Sequence, residues 1–302
     1  MRTFVADPVT ELVAEHAEGP RWDAGRGELA WVDIPAGRVH RAVPREGRLE
    51  LLPGLQLDVP VGAANPVTGH DGWILAAGTG FVHARLAEDG TQQLEQLARP
   101  DAGREDDVRM NEAVCDPVGR LLAGTMAYDQ RPGGGRLLQV DLDGSVRTLV
   151  ADATVANGLA WSSDGATVYW ADSGPGRLTA HSYDLETGEF GPGRLVEQRS
   201  RDQGVSDGIA IDDEDCLWVA RFGGGAVDRI SPEGEILTVV SLPVEQVTAV
   251  AFAGTTLYIT TSREGLDAST VAGQPHAGKV FAVDAAVSGP PARAFKAQLP
   301  RD

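Results

Sequence analysis

The chain has 302 residues, 42% of them hydrophobic, ample for a buried core in one large β domain or two smaller ones. Its 44 acidic and 26 basic residues give a formal net charge of -18, which opposes phosphate backbones and anionic membrane surfaces and favours cation binding, so no nucleic acid or membrane partner is expected. Only Cys115 and Cys216 are available for a disulfide, no run approaches the roughly 18 apolar residues of a membrane-spanning helix, and the opening Met1-Arg-Thr-Phe-Val-Ala-Asp-Pro lacks a secretory apolar stretch; a soluble cytoplasmic protein is expected.

Helical periodicity is nearly absent. Apolar runs of four to eight residues alternate instead with turn dipeptides such as Asp143-Gly, Asp164-Gly, Thr187-Gly and Glu233-Gly, the pattern of short strands. In chain order, strand-like runs open at Glu18, Val61, Asn111, Asn157, Asp207 and Thr248, spaced 41 to 50 residues apart. The first reads Glu18-Gly-Pro-Arg-Trp-Asp and is followed by Leu29-Ala-Trp-Val-Asp. The third, Arg109-Met-Asn111, follows a charged tract over residues 100–108 that reads as a surface loop. The fourth shows the unit most plainly: strands over residues 157–162, 167–172, 177–184 and near 194–197, a four-stranded meander. The fifth, Asp207-Gly-Ile-Ala-Ile-Asp, leads to Leu217-Trp-Val-Ala-Arg. A repeat of this length built from four short strands predicts one all-β domain over residues 1–302, a six-bladed β-propeller of four-stranded antiparallel blades. Closure would come from residues 11–14 pairing into the last blade, which removes an exposed edge.

The innermost strands of a propeller surround one axis, so residues at their starting ends converge. Glu18, Asn157 and Asp207 would then meet at one mouth of the channel. Two carboxylates and an amide oxygen are hard ligands suited to Ca²⁺, Mg²⁺ or Mn²⁺. Taken singly, Asn157-Gly and Asp207-Gly are ordinary hairpin signals. Their flanks argue for strand entrances, because Ala151-Asp-Ala-Thr and Ser200-Arg-Asp-Gln-Gly-Val-Ser are polar and loop-like where a hairpin needs a strand. Arg109 and Asn111 alternate along one strand and so face the same mouth, where they could hold substrate hydroxyls or a carboxylate. Asp129, at the end of the next strand, is a further candidate for that mouth.

Two motifs are rejected on context. Gly204-Val-Ser206-Asp-Gly208 matches a hydrolase nucleophile elbow, but a polar loop precedes it and a strand follows, where the elbow needs a strand and then a helix. Asp212-Asp-Glu-Asp215 resembles a calcium loop, yet Leu217 stands where the helix-loop-helix motif requires glycine, so the run is expected to be a solvated turn. The histidines at 16, 40, 70, 83, 181 and 276 show no paired spacing and there is no Cys-x-x-Cys, which disfavours a His/Cys zinc site; most of them read as surface or packing residues.

Ala17-Glu-Gly-Pro-Arg-Trp, Glu28-Leu-Ala-Trp-Val-Asp-Ile, Arg109-Met-Asn-Glu-Ala-Val-Cys-Asp, Ala123-Gly-Thr-Met, Asn157-Gly-Leu-Ala-Trp-Ser and Ser206-Asp-Gly-Ile-Ala-Ile-Asp occur in this order. Together they resemble the regucalcin (senescence marker protein), gluconolactonase and luciferin-regenerating enzyme family, over nearly the whole chain. The resemblance implies a six-bladed propeller holding one divalent cation and hydrolysing a small sugar lactone. By it, Glu18, Asn157 and Asp207 would be the metal ligands, Asp207 also the general base, and Arg109, Asn111 and Asp129 the substrate contacts. Ca²⁺ is the first expectation for the cation, with Zn²⁺, Mg²⁺ and Mn²⁺ also compatible with these donors. The chain departs from the family pattern in two places. Asn111-Glu112-Ala113 stands where Asn-Asp-Gly is common, and Asp129 is often a glutamate. Two other readings stand beside the lactonase: a non-catalytic calcium-binding regulatory propeller, and an ester or phosphotriester hydrolase.

Overall fold

A computed structural model describes residues 2–69 and 71–296, so His70 lies outside the described residues. They form six sheets in a ring, a six-bladed β-propeller whose blades are mostly four-stranded and antiparallel. The first blade runs Ala17–Asp23, Glu28–Asp33, Arg38–Arg45 and Arg48–Gln56 from axis to rim. The fourth runs Ala156–Trp161, Thr167–Asp172, Arg177–Tyr183 and Phe190–Gln198, close to its predicted limits. In the sixth, the run Val247–Thr261 doubles back near Gly254, bringing Thr248 Oγ1 within 2.8 Å of Thr260 Oγ1, and so supplies two strands.

Closure differs from the expectation for residues 11–14. Asp7–Pro8 pairs antiparallel with Phe281–Gly289 to complete the sixth blade, while Arg2–Val5 adds a parallel fifth strand to the edge of the fifth blade. Residues 11–14 follow these strands and contribute one backbone bond, from Ala14 N–H to the Gly278 carbonyl (2.9 Å). Pro8 fits an outer edge, where its missing N–H costs no ladder bond. A short helix, Ala268–Gly273, was not legible as a helix; the Asp267 side chain caps it by accepting from Thr270 N–H.

Apolar side chains fill the gaps between blades rather than the axis. Trp218, Phe252 and Phe281 pack one such layer; Trp31 and Trp161, also fully buried, belong to others. The two cysteines are buried and not joined in a disulfide. At the far end of the channel, residues 290–296 cross from blade to blade: Ala292 N–H bonds the Trp22 carbonyl, Phe295 N–H the Pro66 carbonyl and Lys296 N–H the Gly119 carbonyl. Phe295 is fully buried and anchors this strap. Under it lies a small cavity of about 90 Å³ with mainly apolar walls, among them Trp22, Trp161 and Phe252.

The rejected motifs take structural roles. Ser206 is buried, donates to Glu197 Oε1 and accepts from Arg221, with no strand-to-helix elbow around it. The run from Asp212 is not wholly solvated, which corrects the expectation. Asp212 is buried, accepts from the indole of Trp218 at 2.9 Å and from Arg229 at 2.7 Å, and so ties the turn to its own blade. A carboxylate with that many donors can be buried without large cost.

Candidate active site at one channel mouth

A single backbone device places the predicted ligands. In the first blade, Glu18 pairs with Val32 but Arg21 with Ala30, so one extra residue is inserted at Gly19-Pro20. The same one-residue bulge separates Ala156 from Leu159, Ser206 from Ile209 and Met110 from Ala113. A bulge bends the strand and re-aims a side chain. It falls at Asn111, Asn157 and Asp207 and directly after Glu18, four of the six strand heads that the repeat aligns. The glycines that follow have a steric reason: a Cβ on Gly158 would meet the Asp207 carbonyl at 2.5 Å, and one on Gly208 would meet Ala249 Cβ at 2.3 Å. Asn-Gly and Asp-Gly are therefore bulges at close blade contacts, not hairpin turns.

The last residue of the second strand braces the entrance. Asp33 accepts from the backbone N–H of Glu15 and His16 (3.0 and 3.1 Å), and Asp172 from those of Thr154 and Val155 (3.0 and 2.8 Å). In the fifth blade Arg221, the register partner of Ser206 and last but one in its strand, bonds Ser206 Oγ at 2.9 Å. The Trp-x-Asp ending of the second strand thus fixes the backbone just ahead of Glu18 and Asn157.

Glu18, Arg109, Asn111, Asn157 and Asp207 line one cavity of about 260 Å³ at the mouth opposite the strap. Glu18, Asn157 and Asp207 are each 5% exposed. Asn157 Nδ2 donates to Asp207 Oδ1 and to Ser173 Oγ (3.1 Å for the latter). That fixes the amide with its Oδ1 buried and without a hydrogen-bond partner among the described residues. Burial, with the nearby Glu112 charge, pushes the Glu18 carboxyl up to about 8. Burial and then the charge of Glu18 hold Asp207 well above the usual carboxylate range. Two crowded carboxylates and an orphaned amide oxygen are the donor set of a hard divalent cation, which would neutralise the pair and take the free Oδ1.

Arg109 Nη1 donates to Asn111 Oδ1 (2.8 Å), and Asn111 Nδ2 to the Ala156 carbonyl (3.2 Å), so these two form a second wall. Asp129 does not join them. The strand Leu121–Ala127 ends before it, and its exposed carboxylate turns outward to Arg131 at 2.9 Å. The next residue, Gln130, lines the cavity instead.

Glu112 takes a structural role. It stands at the bulge position that is glycine after Glu18, Asn157 and Asp207, and its side chain does not enter the cavity lining. Its Oε1 lies 2.6 Å from Arg21 Nη2, both side chains buried, and Arg21 also bonds Asn65 Oδ1 and the Ala113 carbonyl. The floor of the channel is a cross-blade ion pair.

His16, Gln130, Ser173, Arg201, Phe222 and Glu264 line the cavity too and escaped the sequence reading. His16 Nδ1 lies 2.9 Å from Glu264 Oε2 and 3.0 Å from Ser262 Oγ. Only His16 carried a usable signal, standing two residues before Glu18 and so on the same face of the chain.

Residues 16–263 match the family described as the SMP-30/Gluconolactonase/LRE-like region. The chain belongs to this family. Among its relatives is the 6-deoxy-6-sulfogluconolactonase of Pseudomonas putida, 38% identical over 276 residues that span 90% of this chain and 92% of that one. Regucalcin of Gallus gallus is 34% identical over 275 residues, 88% and 89% of the two chains. The crystal structure of a calcium-binding regucalcin from Agrobacterium tumefaciens superposes with a TM-score of 0.89 at 27% identity, covering 98% of this chain and 99% of that one. The chain is thus a lactonase-like propeller of this family.

Proposed function

We propose that the protein is a divalent-cation-dependent hydrolase that opens a sugar-type lactone to its hydroxy acid. The observation that carries this reading is Asn157 Oδ1, buried beside Glu18 and Asp207 without a hydrogen-bond partner among the described residues. The similarity to the 6-deoxy-6-sulfogluconolactonase of Pseudomonas putida supports the substrate class.

Glu18, Asn157 and Asp207 would hold the cation, with Ca²⁺ the first choice among hard ions. When bound, a cation there supplies a Lewis acid for the ring carbonyl and its developing negative charge. Asp207 acts as general base, its carboxylate taking a proton from the attacking water. Burial and its acidic neighbour raise its proton affinity, the direction that suits a base working near neutral pH. Arg109 and Asn111, tied together at 2.8 Å, orient the substrate's oxygens and lower the entropic part of the barrier. A cation buffer has no use for that second wall, which weighs against a purely regulatory role. The test is a matrix of divalent metals against lactones, simple esters and a phosphotriester, begun from chelator-treated protein. Metal-restored acidification with lactones supports the reading; turnover confined to esters or phosphotriesters overturns it.

A further inference from the structure

The cavity carries charges of both signs, and Arg109 lies close enough to Glu18 and Asp207 to feel both carboxylates. Glu18 and Asp207 make its deep end acidic, while Arg109 and Arg201 line the same cavity as cations. Arg201 lies in the short 3-10 turn Arg201–Gln203 between the fourth and fifth blades, yet its Nη2 donates to Gln130 Oε1 of the third blade at 2.7 Å. It thus reaches across the mouth in front of the fourth blade. Gln130 is held at a φ of 52°, a backbone region that residues with side chains rarely adopt, and such conformations gather at functional sites.

Neighbouring arginines are neutralised. Arg104 and Arg131 pair with Asp107, and Arg199 and Arg221 pair with Glu197 and Asp228. Among the described residues no carboxylate lies within ion-pairing distance of Arg109 or Arg201, although Glu264, Glu18 and Asp207 act on Arg109 from further off. Each spends one guanidinium nitrogen on a neighbour, Arg109 on Asn111 and the Met110 carbonyl, Arg201 on Gln130. The acidic residue at the mouth, Glu264, is engaged by His16 at 2.9 Å. On a protein of net charge -18, two guanidiniums with free donors facing one cavity form a local anion receptor.

Resting on the lactonase reading above, we propose that the substrate is an aldonolactone carrying a second anionic group, a sulfonate, phosphate or carboxylate, at the end remote from its carbonyl. Arg201, with Arg109, receives that group while the carbonyl faces Asp207. A guanidinium matches the oxygens of such groups with paired N–H donors, whereas a neutral polyol needs no charge there.

The test compares D-glucono-1,5-lactone with its 6-phospho and 6-sulfo derivatives on the metal-loaded full chain. The expected kcat/KM for the anionic lactones exceeds that for the neutral one by at least about tenfold, and falls towards it as salt is raised. Arg201→Gln brings that ratio close to one, and Arg201→Lys keeps part of it. Preference for either anion supports the proposal. A wild-type ratio near one, or a ratio that Arg201→Gln leaves unchanged, overturns it while sparing the lactonase reading. If no lactone is opened, the lactonase reading fails, and calorimetric binding of 6-phosphogluconate against gluconate then decides the anion receptor alone: a preference lost in Arg201→Gln supports it, and equal binding overturns it.

Discussion

Arg21 Nη2 lies 2.6 Å from Glu112 Oε1 in a buried pair that spans the channel from the first blade to the third. Arg21 also borders the small cavity at the far mouth, so the pair separates the two ends of the channel. Breaking a buried pair from one side leaves an uncompensated charge. Arg21→Met should destabilise the fold by about 3–5 kcal/mol in denaturant unfolding, whereas Arg21→Met with Glu112→Met should recover most of that loss. A single variant as stable as the parent would show the pair to be idle.

Crowded carboxylates give the cation-free protein a distinctive pH response. Glu18 moves from an ordinary 4.5 in the unfolded chain to about 8 in the fold, and Asp207 moves in the same direction. A raised folded-state value means that these groups' contribution to stability is fully present below about 4.5 and is lost as pH rises towards 8. In chelator, the melting temperature of the parent should therefore fall relative to Glu18→Gln across that window, and saturating Ca²⁺ should remove the difference in slope. Parallel pH curves for the two proteins in chelator would contradict the assignment.

Asn157 Oδ1 is buried and has no hydrogen-bond partner among the described residues, which leaves it free for the proposed cation. Asn157→Ala should weaken Ca²⁺ binding by at least about tenfold, since even residues outside the coordination sphere commonly cost that much. Titration calorimetry on chelator-treated protein measures this directly, and unchanged affinity would remove Asn157 from the ligand set.

Gly208 follows Asp207 in the bulge, where an added Cβ would sit 2.3 Å from Ala249 Cβ and 2.7 Å from its Cα. Gly208→Ala should cost about 1–3 kcal/mol of stability by overpacking and should lower cation affinity through displacement of Asp207. A variant with parental stability and affinity would mean that the bulge does not position the ligand.

Repeat phase made the propeller legible, because each blade re-uses one strand template and the strand heads recur at near-constant spacing. The same phase placed Glu18, Asn111, Asn157 and Asp207 at equivalent positions, and the bulge now explains why their glycines read as turns in isolation. What escaped lay outside the template. Arg201 and Glu264 sit in loops whose course no periodicity dictates, Asp129 was judged by its distance along a strand that ends two residues earlier, and the partner of Glu112 is 91 positions away in sequence. The closing strands, Arg2–Val5 and Asp7–Pro8, are too short and polar to carry an alternation signal.

The most direct test of the account is lactone-driven acidification followed in a pH-stat, with chelator-stripped protein, the same protein reloaded with Ca²⁺, and a reloaded Asp207→Asn variant. The account predicts no turnover without the cation, turnover on reloading, and a loss of about 10²–10⁴-fold in kcat for the variant, the range of a missing general base. Undiminished hydrolysis by the stripped protein, or by a folded Asp207→Asn variant, would contradict it.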